Sequence, residues 1–135
     1  MLKFGLKVSA IFILIPLLCV CGALSYWWLT YLDEDVIAGH AYGFTIGNSK
    51  TNTFADLQAL KVEYPGTHVY VSYGDRAGDR FSVPVTLNSQ TQIFEYDKWA
   101  VLLDGQYEFL NSIDLKFEND TLTKIHRHRQ KFELP

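Results

Sequence analysis

Cysteine is scarce in this chain of 135 residues. Only Cys19 and Cys21 occur, and both lie inside one apolar run. The rest of the chain can form no disulfide and holds no thiol nucleophile, so its stability must come from packing. Positive charge is also short, with 12 Lys and Arg against 15 Asp and Glu. Lys3 and Lys7 precede the apolar run, which leaves ten basic residues against fifteen acidic ones beyond it. A phosphate-binding domain shows the reverse balance, so nucleic acid is excluded as a partner. Catalytic signatures are missing too. There is no Gly-x-Ser-x-Gly elbow, phosphate-binding loop or His-Glu-x-x-His pair. The chain therefore reads as a non-enzyme, with no catalytic residue and no cofactor.

Charge is absent altogether from Val8 to Leu32. A bilayer core takes about 20 apolar residues in a helix, and this run is long enough. Pro16 lies within it, where a membrane helix tolerates proline. Tyr26, Trp27, Trp28 and Tyr31 gather at its far end, as aromatic rings do at a membrane interface. The lysines before the run keep the N-terminus inside. A cleaved signal is the rival reading, but only "GALS" offers a cleavage site, and a poor one. Lipidation is the other rival. Cys21 follows Val20 and Cys19 follows Leu18, whereas an acylated cysteine follows a small residue. The expectation is a cytoplasmic N-terminus at residues 1–7 and a single-pass anchor at 8–32 in a bacterial inner membrane. A linker at 33–41 then leads to a periplasmic domain at 42–135.

Beyond the acidic "DEDVIAGHAYGF", Ser49 is a candidate N-cap. Phe54, Leu57 and Leu60 share a helical face, and Pro65-Gly66 stops that helix. From Thr67 the pattern alternates as strands do. "THVYVSY" and "RFSVPVTL" are joined by the glycine-rich turn "GDRAGD". Pro84 lacks an N–H, so its strand should be an edge or bulged. "NSQTQIFEYD" suits a loop or a short helix. "KWAVLLD", "EFLNSIDLKF" and "LTKIHRHRQKF" follow as strands. The expected fold is α+β: an N-terminal transmembrane helix, then one or two helices packed on an antiparallel β-sheet.

Two short motifs carry a resemblance. Gly47, Ser49 and Lys50 open the first helix, and Phe117, Asn119, Asp120 and Leu122 mark a final hairpin. In these the chain resembles small envelope domains of the BamE/SmpA type, which share a helix-on-sheet fold with the repeats of the β-lactamase inhibitor protein. The resemblance spans Tyr42 to Ile125. It implies a non-enzymatic domain that binds other proteins, such as an envelope-assembly or scaffold subunit. The absence of a lipobox departs from that family.

One segment stands out. "KIHRHRQKF", Lys124 to Phe132, concentrates basic and imidazole groups in an acidic protein. As a strand it puts Ile125, Arg127, Arg129 and Lys131 on one face, and His126, His128 and Gln130 on the other. A bulge between Leu122 and Ile125 fits their spacing. His126 and His128 could share a metal ion, but two ligands are missing, so no metal site is assigned. Arg127, Arg129, Lys131, His126 and His128 are instead the candidate partner-binding residues. The functional expectation is a membrane-anchored periplasmic inhibitor or immunity protein that neutralises a toxic effector by direct binding. The alternative is the scaffold subunit.

Overall fold

The computed structural model describes residues 2–76, 78–103 and 110–131, with side chains from residue 13 onward. Met1, Ala77, residues 104–109 and residues 132–135 lie outside it, so the turn reading at Ala77 and the strand reading at Asp104, Glu108, Phe109 and Phe132 concern residues not described. The chain divides into two units at Tyr31.

The first unit is helix α1, Leu2–Thr30, with Pro16 inside it. Its stretch Ile13–Thr30 is long and apolar enough to cross a membrane. At 1.5 Å per residue those turns rise about 27 Å, close to the thickness of a bilayer core. Leu17, Leu18, Val20, Leu24, Trp28 and Leu29 are all exposed. A helix apolar around its whole circumference needs an apolar surrounding.

The second unit is α+β. Its strands are β1 (Leu32–Val36), β2 (His40–Ala41), β3 (Phe44–Thr45), β4 (His68–Ser72), β5 (Arg80–Val83), β6 (Lys98–Leu102), β7 (Leu110–Glu118) and β8 (Thr121–Gln130). Helix α2 is Lys50–Glu63, and a 3₁₀ turn at Leu87–Ser89 runs into the short α3, Gln90–Phe94. Six strands form one antiparallel sheet in the order β1-β8-β7-β6-β4-β5, and β2 and β3 make a separate small hairpin. β5 is an edge strand and ends at Val83, directly before Pro84. Phe117 pairs with Leu122 but Lys116 pairs with Lys124, so Thr123 is the extra residue of a bulge.

One expectation changes. Residues 33–41, read as a linker, contain most of β1 and all of β2. Asp33, Glu34 and Asp35 are poor strand formers by propensity. They are held by β8, whose backbone groups they pair from Leu32↔Arg129 to Val36↔Ile125.

Alternation decides the buried face. Val69, Val71, Val83, Trp99, Val101, Ile113, Leu115, Phe117, Leu122 and Ile125 turn toward the helices. Phe54 and Leu57 of α2 and Ile93 of α3 cover them. Trp99 centres this layer, 4.4 Å from the Phe117 ring and stacked at 5.9 Å on Phe94.

The start of α2 is tied to the β7–β8 hairpin. Gly47 takes φ +93°, a left-handed value that suits glycine. Its N–H donates to Leu122 O at 2.8 Å, and the Leu122 N–H donates to Asn48 O at 2.8 Å. The Ser49 hydroxyl accepts from the Asn52 N–H at 3.3 Å. Asn119 and Asp120 both have positive φ, as a two-residue type I′ turn requires. Buried Lys50 then closes the joint, donating to Phe94 O at 2.8 Å and pairing with Asp97 at 2.8 Å and Asp120 at 3.0 Å.

Burial alone would lower the pKa of Lys50. The hydrogen bonds and charges of Asp97 and Asp120 outweigh it, and the net shift is upward. A raised lysine contributes stability below its unfolded value of about 10.4, and that contribution is lost as pH rises through the folded value. Alkaline titration of the folded domain should therefore show a loss of stability above about pH 10.5 that Lys50→Met lacks. At neutral pH, Lys50→Met should cost about 2–3 kcal/mol in urea unfolding. The cost stays moderate because Asp97 and Asp120 are exposed and remain hydrated when the lysine is gone. A change below about 0.5 kcal/mol would contradict this role.

Candidate functional site

Among the described residues of the second unit, α2 and α3 cover one face of the sheet and no helix covers the other. On the open face one crosswise row runs from β1 to β5 as Asp35, His126, Asp114, Ala100, Tyr70 and Ser82. A neighbouring row sets Lys124, Lys116 and Lys98 opposite one another on three adjacent strands. Like charges so placed repel, and each lysine leans on a carboxylate. Lys124 pairs with Asp35 at 2.8 Å, Lys116 with Glu118 at 2.9 Å, and Lys98 with Asp75.

These rows line a cleft of about 610 Å³. Small Ala100 lies in its lining, and Arg76 and Arg80 add charge beside the three lysines. Five cationic side chains there meet the carboxylates of Asp35, Asp75 and Asp114. The cleft is thus a basic patch on an acidic domain. The Arg80 guanidinium lies over the Tyr70 ring, 5.4 Å from its centre.

The carboxylates behave differently. Hydrogen bonds from Lys124 and then His126 hold Asp35 below the ordinary carboxylate value. The hydrogen bond from Lys98 does the same for Asp75. Asp114 moves the other way. Its residue is exposed along the strand, but the surrounding side chains desolvate its carboxyl and raise its pKa. The charges of His126, Arg80 and His128 offset part of that rise.

The five candidate residues are split between the two faces. His126 and His128 lie on the open face, across from Asp35 and Asp33 of β1. Arg127 lies on the helix-side face and is only 6% exposed. Its guanidinium donates to Ser112 O at 2.8 Å, to His128 O at 2.9 Å and to Asn111 Oδ1, and it lies 5.5 Å from the centre of the Tyr42 ring. Arg129 follows on the same face opposite Leu32 and Asn111 and is partly buried. Lys131 lies just past the end of β8 and is half-buried. Arg127 is thus built into the fold rather than offered as a surface. Ile125 was the available signal, because it is apolar and shares the arginines' face.

Sequence reasoning missed Asp33 and Asp35, and with them the acidic wall beside the histidines. The signal was present in the shared spacing of Asp33-x-Asp35 and His126-x-His128. It also missed Lys98, Lys116 and Arg80, which only strand pairing brings together. Comparison with protein-family models, curated proteins and solved structures finds no match.

Proposed function

We propose that this protein is a membrane-anchored binding domain without catalytic activity, and that it holds an acidic segment of a protein partner in its open-face cleft. The observation that carries the reading is the basic, uncovered sheet face on an otherwise acidic domain. α1 is read as the anchor, with the α+β unit on the periplasmic side of a bacterial inner membrane. The partner is read as a toxic effector that the domain neutralises as an immunity protein. Tethering raises the local concentration of such an inhibitor at the membrane.

Charge supports an acidic occupant. The lysine pairs in the cleft are partly exposed, and such pairs hold with about 0–1 kcal/mol each. They can exchange their carboxylates for those of a partner at little cost. Steering by such a patch acts mainly on association rate and weakens with salt.

The test places a photo-crosslinking residue at Ala100 in the full chain, with a control at exposed Ala59 on α2. The expected result is a stoichiometric adduct from Ala100 alone, with a protein that is toxic unless this chain is co-expressed. Lys98→Glu with Lys116→Glu should lower the affinity for that protein about 10–100-fold while the thermal midpoint stays nearly unchanged. Equal crosslinking from Ala59, or unchanged affinity after the double reversal, would sink the cleft. A captured partner that is harmless without this chain and sits in a permanent assembly would replace inhibition with the scaffold reading.

A further inference from the structure

We propose a transition-metal site, of the zinc class, at the pairing of β1 and β8, made by Asp33, His126 and His128. Their ligand atoms all lie within 4.8 Å of one another. His126 Nε2 is 3.5 Å from Asp33 Oδ1, and His128 Nδ1 is 3.6 Å from Asp33 Oδ2. Both separations are longer than a hydrogen bond between such atoms. Each is close to the edge of a tetrahedron around an ion, roughly 3.4 Å with bonds of about 2.0–2.1 Å, and each imidazole faces a different oxygen of the Asp33 carboxylate.

The neighbouring groups are arranged as a metal site needs them. His126 Nδ1 lies 2.9 Å from Asp35 Oδ1. With Nδ1 turned to that carboxylate, Nε2 is the ring nitrogen that faces Asp33. Carboxylate support behind a histidine ligand is a common second layer of metal sites. Asp35 in turn is held by Lys124 at 2.8 Å. Both imidazoles are partly buried, with side chains 33% and 20% exposed, which limits their freedom before binding. The Arg127 guanidinium, which would repel an ion, is turned to the other face of the sheet.

Two imidazoles and one carboxylate select zinc, nickel or copper over calcium or magnesium, which prefer oxygen ligands. Three protein ligands leave a fourth position to water. The pairing of β1 with β8 supplies what the histidines lack in sequence, since Asp33 lies more than ninety residues away.

The test is calorimetric titration of the full chain in detergent with ZnCl₂ after chelator treatment. Cys19→Ala with Cys21→Ala serves as background, so that thiols do not compete. The expected result is one zinc per chain with Kd below about 1 μM. His126→Ala with His128→Ala should abolish that equivalent. Asp35→Asn, which keeps all three ligands, should weaken it about 10–100-fold. No uptake at 100-fold excess zinc would overturn the site. So would an undiminished equivalent in the double histidine variant, or full affinity in Asp35→Asn.

Discussion

Arg127→Glu is expected to leave the α+β domain largely unfolded. The wild-type guanidinium is buried, and its donors meet the carbonyl oxygens of Ser112 and His128 and the side-chain oxygen of Asn111. A carboxylate in its place would face three acceptors and could donate to none. Breaking a buried charged network of this kind costs about 3–5 kcal/mol, and the reversed charge adds to it. Whole domains are stable by only about 5–15 kcal/mol. For a domain of this size the midpoint of thermal unfolding should fall by roughly 20 °C or more. Circular dichroism melting of the detergent-solubilised chain checks this, read in the sheet and aromatic bands because α1 dominates the helical signal. A drop under about 5 °C would mean that Arg127 is not integral to the fold. Arg127, named among the candidate partner-binding residues, therefore cannot serve to probe a binding surface. Lys98 and Lys116 are the residues for that purpose.

Trp99→Ala carries the second large effect. Its ring is 1% exposed and lies between Phe94 and Phe117, while Nε1 donates to Tyr96 O at 2.9 Å. Truncation removes the contacts with both rings, opens a cavity under the cleft and leaves the Tyr96 carbonyl without this donor. Large aromatic-to-alanine changes cost about 3–5 kcal/mol, and this one belongs at the upper end. Trp99→Phe keeps most of the volume and should cost about half as much. Urea midpoints of the two variants settle the order. Equal losses would show that the indole N–H and ring size matter less than the position itself.

Local chemistry was legible where neighbours in sequence decide the outcome. The Ser49 cap, the face shared by Phe54 and Leu57 and the stop at Pro65-Gly66 all follow from short-range rules, whereas the strand read through Pro84 to Leu87 ends at Val83, and Leu87 opens a 3₁₀ turn instead. The bulge after Leu122 was legible too. The lost information was long-range. Nothing local in "DED" favours a strand, because its conformation is set by β8. The helix at Gln90–Phe94 has no apolar period of its own and forms where Ile93 and Phe94 meet Trp99 and Phe54. The candidate site failed in the same way. Its lysines come from three strands, and its third metal donor comes from the opposite end of the domain.

The grip of β8 on β1 has a consequence for the order of events in biosynthesis. Of the described strands β1 is made first and β8 last, and among them β1 pairs with β8 alone. Closing a loop of about ninety residues is slow compared with forming a hairpin. Until Thr121–Gln130 has emerged, β1 has no backbone partner, the lysine row lacks Lys124, and Asp33 has no imidazole to face. The β1 edge, the full lysine row and the facing of Asp33 by the imidazoles are therefore completed together, in the step that adds β8 to a sheet whose β5-β4-β6-β7 pairings do not depend on it.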